Sequence, residues 1–582
     1  MLLSHFCQRK LASTRAFFKV AGFLLLCLTY STIAFGQNNF IAQVEGQKLN
    51  AFKQYVSSEN GDISQVIHLE ASHLVGFHGD QGLKAKVRRF DGVLLVSDNP
   101  EVQWIDPAQT ILLGIPESDL GRTEGTDEGT KDLAELQWGM DAIQVKEAWT
   151  QSRGKGVRVA IIDNGIDADH QDLKANLNTA LSKSFVPTEG WEARQEFGFN
   201  HGTHIAGIIA ANDNQEGTHG IAPEAELIAL KVASEKTGSG DFSWLLEAIV
   251  YAADQHVDIA NVGLGQLYPK EGAQGIRAEE MKQMIEVAAA YANKKGVTLI
   301  APAGDDNKNI DDCCLYLPAH AEPFLTVSAT APVGWAFDPD VNPEKPTSYS
   351  NFGVSTVDFA APGGDILYPG RDYCVKAEMN RPCWAFDLVF STISNGWGWA
   401  AGSSMSAAFL TGVAALIHSK EEQEMSPELM KLLLIGHARQ RGKSPGNDAF
   451  YGFGITNAFA ENHEIAHEHT TIEIIDGMLS NAKSEHVSPR SFELYQNYPN
   501  PFNPQTTINF HIPKAARVQV SVFDLMGSQV ATLVDQELDT GCYNTSWNGR
   551  GTDGRALTSG VYMYKIDAES FVDAKVMTFA NN

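Results

Sequence analysis

Between residues 137 and 460, short runs of Val, Ile and Ala alternate with longer helical stretches. No other feature of the chain restricts its fold as much. Val157-Arg158-Val159-Ala160-Ile161-Ile162 and Thr298-Leu299-Ile300-Ala301 are two such runs. A strand that is apolar throughout must be covered on both faces, and strands separated by helices return in parallel. Residues 137–460 are therefore expected to form one parallel-sheet α/β domain, with any ligand at the carboxyl ends of its strands.

The flanks differ. Residues 38–114 mix short apolar strands with helical patches and read as a small α+β domain. Residues 115–136 carry seven Asp or Glu against Arg122 and Lys131, the composition of an exposed linker. Residues 461–490 are a second polar linker. Residues 491–582 alternate, as in Val518-Gln519-Val520-Ser521-Val522, between turn signals such as Asn500-Pro501, Asn548-Gly549 and Ser559-Gly560. That pattern predicts a small all-β sandwich.

Charge and cysteine usage narrow the function classes. The chain has 44 basic and 71 acidic residues, a formal charge of −27. Such a surface repels phosphates and argues against nucleic acid as a partner. Arg9, Lys10, Arg15 and Lys19 lead into an apolar run from Val20 to Phe35, and Ala34-Phe35-Gly36 supplies small residues at its end. Residues 1–36 are expected to be a cleaved signal peptide. The run is short for a membrane anchor, and Thr29, Ser31 and Thr32 interrupt it. Export would leave Cys313, Cys314, Cys374, Cys383 and Cys542. In an oxidising compartment Cys374 and Cys383 can close a short loop, while adjacent Cys313 and Cys314 cannot easily share one partner. No cysteine or histidine spacing supports zinc.

Three segments of the large domain carry chemistry. The first, Val159-Ala160-Ile161-Ile162-Asp163-Asn164-Gly165, is a strand that ends on an acid and turns at glycine. The second, Asn200-His201-Gly202-Thr203-His204, opens an apolar helix with a histidine at its mouth. His201 and His204 could begin a metal site, but the Gly, Thr and Ala around them add no ligand. The third, Ala401-Gly402-Ser403-Ser404-Met405, starts another apolar helix, where free amide donors favour negative charge. By itself Ser404 is an ordinary helix cap.

Taken together, Asp163, His201 and Ser404 stand in the chain order Asp…His…Ser. In that order the segments resemble those of the subtilisin-like serine proteases, the subtilases. The resemblance extends to Gln137-Trp138-Gly139-Met140 and to Asp358-Phe359-Ala360-Ala361-Pro362-Gly363. Ser239, Gly240 and Asp241 match the family's substrate-pairing edge strand. Gly263, Leu264 and Gly265 match its second substrate-binding segment. It implies a secreted serine endopeptidase acting on protein or peptide substrates through an acyl-enzyme. Ser404 would be the nucleophile, His201 its base and Asp163 the group that orients His201. The Ser404 backbone N–H would donate to the oxyanion.

The chain departs from the family at several positions. Asp305, in Ala303-Gly304-Asp305-Asp306, stands where an asparagine usually supplies the second oxyanion donor. An ionised carboxylate cannot donate. Either Asp305 is protonated, or a neighbour such as Asn307 or a water donates instead. Ser406-Ala407-Ala408 replaces the usual Ala-Ser-Pro, Ser403 the usual threonine, and Gly263 a common serine. The rival reading is a catalytically impaired subtilase that binds peptides or acts at a surface.

The family likeness also implies structural calcium, with Asp172 and Asn214 as matching ligands, and no organic cofactor. Residues 38–114 resemble a propeptide, an inhibitor of its own enzyme, with the linker as its cleavage region. Tyr495-Gln496-Asn497-Tyr498-Pro499-Asn500-Pro501-Phe502-Asn503-Pro504, Trp547-Asn548-Gly549 and Ser559-Gly560-Val561-Tyr562 resemble the sorting domain of the type IX secretion system. That implies export through the periplasm to the medium or cell surface, with the type IX machinery as a partner. The mature protein is expected to be a monomer. A lectin-like adhesin is the remaining reading of the sandwich, and it predicts glycan binding by residues 491–582.

Overall fold

The computed structural model describes residues 38–105, 111–116, 132–194, 200–214, 216–421, 425–439, 448–460, 492–494, 505–523, 529–539, 541–552, 555, 557–558, 560–568 and 571–579. The expected signal peptide, the linker 461–490 and the motif at 495–504 lie outside the described residues, as does most of the acidic linker. Two compact units divide the chain, one to Ala466 and one from His467.

The first unit begins with an antiparallel sheet. Its strands are β1 (Asn38–Glu45), β2 (Asp62–His68), β3 (Ser72–Gly79) and β4 (Val93–Asp98), in the order β2-β3-β1-β4. Helices α1 (Leu49–Ser58) and α2 (Gln81–Val87) pack on it through Phe52, Val56, Leu83 and Val87. This is the small α+β domain expected. Two further segments leave it. The strand β5 (Glu101–Gln103) follows directly, and β6 (Ile111–Pro116) comes next.

The large sheet is parallel through its centre. β7 (Arg158–Asp163) lies between β9 (Glu226–Lys231) and β11 (Ile259–Val262). β13 (Thr298–Pro302), β15 (Leu325–Ala331) and β17 (Phe359–Pro362) continue in parallel beyond β11. β8 (Lys183–Ser184) pairs on the far side of β9, and β16 (Lys345–Pro346) is antiparallel at the other edge. Nearly every residue of β7, β11, β13 and β15 is buried, because helices cover both faces. On one face are α3 (His201–Ala210) and α6 (Ser403–Lys420), and on the other α4 (Phe242–Asp254) and α5 (Gly272–Lys294). Side chains of the N-terminal domain, Val102 and Trp104 among them, join the core under α4 and α5.

Three short pairings set the cleft. β10 (Ser239–Asp241) pairs antiparallel with β5. β12 (Gln266–Pro269) pairs with β14 (Cys314–Leu317). A hairpin of β20 (Val389–Ile393) and β21 (Gly396–Ala401) leads into α6, and β21 also pairs with β6. A boundary at residue 114 thus cuts through β6, whose backbone partner belongs to the large domain. β18 (Tyr373–Lys376) and β19 (Met379–Pro382) form a small hairpin beside the Cys374–Cys383 disulfide. Cys313 is bonded to Cys314 itself. Among the described residues no helix is long and apolar enough to cross a membrane.

The second unit is mostly antiparallel. β22 (Glu493–Leu494), β23 (Thr506–Ile512) and β26 (Gly541–Trp547) form one sheet. β24 (Ala516–Phe523), β25 (Gln529–Leu538), β27 (Gly560–Ala568) and β28 (Phe571–Phe579) form the other. Val518, Val520 and Val522 point into its core while Arg517 and Gln519 face solvent, as the alternation predicts.

Candidate active site

Asp163 is the last residue of β7, at the carboxyl end of the sheet. It is buried, and its carboxylate is fully occupied. Oδ1 accepts the Asn164 N–H at 2.8 Å, and Oδ2 lies 2.8 Å from His201 Nδ1. His201 is the first residue of α3. Asn200 caps that helix by accepting the Thr203 N–H at 2.9 Å, which fixes where the histidine sits. The carboxylate assigns the His201 proton to Nδ1 and makes Nε2 the basic nitrogen. Burial opposes a charged His201, but the attraction and hydrogen bond of Asp163 outweigh it, with help from Asp305, and the pKa is raised. His204, one turn on, is pushed down to about 3 by burial and by His201. It stays neutral beside the Gly398 carbonyl.

Ser404, near the start of α6, shares a cavity of about 340 Å³ with His201 and Asp305. Its hydroxyl donates to the Gly263 carbonyl at 3.0 Å. Gly263, Leu264 and Gly265 line the same cavity. A Cβ on Gly263 would lie 2.4 Å from Asp163 Oδ2, which accounts for glycine at this position.

Asp305 lines the same cavity as His201 and Ser404. Its Oδ1 accepts the Ser403 N–H at 2.8 Å, so it sits against the first turn of α6. The Ser403 hydroxyl in turn accepts the Gly304 N–H at 3.0 Å and ties the two segments together. Asp305 is exposed along the cleft, although protein packs around its base. That packing raises its pKa, reinforced by Asp306 and opposed by Ser403 and His201. Asn307 is exposed, with its backbone N–H on the Tyr349 carbonyl. Ser406 is buried and donates to the Ala361 carbonyl.

Ser239, Gly240 and Asp241 pair with Gln103, Val102 and Glu101 of the same chain. The N–H groups of Trp104 and Ile105 both reach the Gly238 carbonyl, at 3.0 and 3.1 Å. Asn99 caps the start of α4 by accepting the Ser243 N–H at 2.7 Å. Gln103, Trp104 and Ile105 also line the catalytic cavity. The edge strand is therefore occupied by β5, at the end of the N-terminal domain.

Asp172 and Asn214 also come together, with Asn214 Nδ2 3.4 Å from Asp172 Oδ1. Subtilases are generally calcium-binding. Here, however, Asp172 Oδ2 accepts the Trp397 indole N–H at 2.7 Å and the Thr218 N–H at 2.9 Å. Among the described residues no three His, Cys, Asp or Glu side chains converge. The Trp397 and Thr218 donors meet Oδ2 and the Asn214 amide meets Oδ1, so both oxygens face protein groups in this arrangement.

Sequence reasoning missed several supporting residues. The Asn200 cap was open to detection, since Asn before an apolar run is a helix-start signal. Trp397 and Tyr316, a further residue lining the catalytic cavity, meet their partners only through distant folding, and no local pattern marks them.

A family model described as the subtilase family matches residues 154–454. A second, the secretion system C-terminal sorting domain, matches residues 496–577. The major intracellular serine protease of Bacillus subtilis is 29% identical over 354 residues, 59% of this chain and 95% of that protein. Subtilisin Savinase from Lederbergia lenta is 30% identical, over 56% of this chain and 98% of its own length. Among solved structures, an epidermin leader peptide processing serine protease from Staphylococcus aureus has a TM-score of 0.54 at 20% identity. The match covers 72% of this chain and 97% of that one, and it speaks to the fold.

Proposed function

The chain belongs to the subtilase family of serine endopeptidases, and on that premise we propose that it is a secreted precursor cleaving peptide bonds through Asp163, His201 and Ser404. The observation that carries this reading is the 2.8 Å contact between His201 and the buried Asp163 carboxylate, at a cavity that Ser404 also lines.

Ser404 first turns its hydroxyl from the Gly263 carbonyl toward His201. His201 Nε2 takes the proton as Oγ attacks the substrate carbonyl carbon. Asp163 holds the imidazole and stabilises its charged form. The tetrahedral oxyanion accepts the Ser404 backbone N–H and the proton of a neutral Asp305 carboxyl. Collapse expels the amine, which receives the proton from His201 and leaves an acyl-Ser404. Water, deprotonated by His201, then releases the acid. No step requires a metal or an organic cofactor.

The N-terminal domain is read as a propeptide inhibitor in cis, supported by the pairing of β5 with β10. The sorting domain supports a secretion machinery as partner and an extracellular or cell-surface destination. Asp305 is the feature that favours the second reading, a peptide-binding subtilase with impaired chemistry.

One labelling experiment separates the two readings. Once the chain has been freed of its N-terminal domain, a fluorophosphonate should modify Ser404 and should not modify the His201→Ala variant. Absence of label on the wild-type protein would favour the binding reading.

A further inference from the structure

The substrate carbonyl attacked by Ser404 must lie between two segments. Gly263 meets the Ser404 hydroxyl on one side, and Asp305 meets the Ser403 N–H on the other. On the catalytic reading, the side chain just before the scissile bond would enter between the Gly263–Gly265 and Gly304–Asp305 segments, which line the same cavity as Ser404 or adjoin it. In this chain that space holds the ring of Tyr316.

The fit of the ring is close on both sides. A Cβ on Gly265 would lie 2.4 Å from Tyr316 Cε1 and 2.8 Å from its hydroxyl oxygen. A Cβ on Gly304 would lie 2.4 Å from Cε2 and 2.7 Å from Cδ2. The ring thus spans the gap between the two backbones, and only glycine on each side admits it. Gly304 also has φ +97°, which itself favours glycine.

Tyr316 is held in place by its strand. It pairs with Leu267 across β12 and β14, and its backbone N–H donates to His320 Nδ1 at 3.0 Å. Burial and the nearby Asp305 and Asp306 carboxylates keep the phenol neutral. A neutral, strand-anchored ring is a fixed floor rather than a mobile gate.

We propose that Tyr316 sets the specificity of this protease by filling the pocket next to Ser404, so that it cleaves after small residues such as Ala, Gly or Ser. This rests on the catalytic reading above and names its substrate class. A shallow pocket excludes large side chains by overlap, a stronger filter than the loss of a favourable contact.

The test uses two fluorogenic peptides that differ only in Ala or Phe before the scissile bond. The wild-type protein, cleared of its N-terminal domain, should favour Ala in kcat/KM by about 10²-fold. Tyr316→Gly should shift that ratio toward Phe by at least about 10-fold, while Tyr316→Phe, which keeps the ring, should leave it unchanged. Should the glycine variant fail to fold, Tyr316→Leu must move the ratio in the same direction. Equal cleavage of both peptides by the wild type, or a ratio that does not respond to these variants, overturns the proposal but not the protease reading. Cleavage of neither peptide overturns both.

Discussion

Asp305 accepts the backbone N–H of Ser403 at 2.8 Å, which sets an acid at the helix start that also presents Ser404. Its raised pKa favours the neutral form, and only that form can donate to an oxyanion. The rate should rise with pH as His201 loses its proton, above the range of an ordinary histidine. Ionisation of Asp305 should lower it. Asp305→Asn supplies a donor at every pH, so it should raise hydrolysis wherever Asp305 is ionised and remove that fall. One such donor is worth about 10²–10³ in turnover in subtilisin, the family's type enzyme, and that figure bounds the gain. A pH–kcat profile measures it, and an unchanged or lower rate in the variant would sink the idea.

Gly263 is held to glycine by Asp163 and His201. Gly263→Ala places a methyl group 2.4 Å from Asp163 Oδ2 and 3.5 Å from His201 Cε1. The carboxylate has to shift, and the imidazole shifts with it. Displacements of this size cost about 10²-fold in turnover. Steady-state kinetics should show the loss in kcat with a small change in KM, and a normal kcat would contradict the geometry.

The N-terminal domain is fastened to the catalytic domain by charges as well as by β5. Lys84, largely buried, lies between Asp98 at 2.6 Å and Glu280 of α5 at 2.9 Å, and Arg88 also contacts Glu280. Glu280→Gln weakens both cross-domain contacts. A hydrogen bond to a charged group is worth about 1.5–3 kcal/mol, so the full chain should gain activity roughly 10-fold sooner. A time course of activity after purification reads this directly. An unaltered lag would assign the ion cluster a different role.

Asp172 is satisfied by protein donors. A chelator should therefore move the unfolding temperature by less than about 2 °C. Trp397→Phe removes the indole donor from a buried carboxylate, at about 1–3 kcal/mol. Thermal unfolding with and without chelator checks both. A drop of many degrees on chelation, restored by calcium and not by magnesium, would place the ion at this site after all.

The sequence reading reached the parts of the site that are local. Asp163 ends an apolar strand, and His201 and Ser404 each open an apolar helix; each has a signature within ten residues. The strand Ser239–Asp241 was legible as a pairing edge and residues 38–114 as an inhibitor segment, but the register that sets Gln103 against Ser239 was not, because the two lie far apart in the chain. The indole of Trp397 on Asp172 and the ring of Tyr316 against Gly265 and Gly304 depend on how separate loops pack. No periodicity encodes such meetings. Likewise β6 ends the N-terminal segment in sequence, yet its backbone partners are residues 396–401.

The central claim is hydrolysis by Ser404 with His201 as its base. It is tested most directly by the rate at which the purified protein, cleared of its N-terminal domain, digests an unfolded protein substrate, compared with Ser404→Ala. The account predicts measurable digestion by the wild type and a loss of at least about 10³-fold in a variant that unfolds at the same temperature. Equal rates for the two proteins would contradict it.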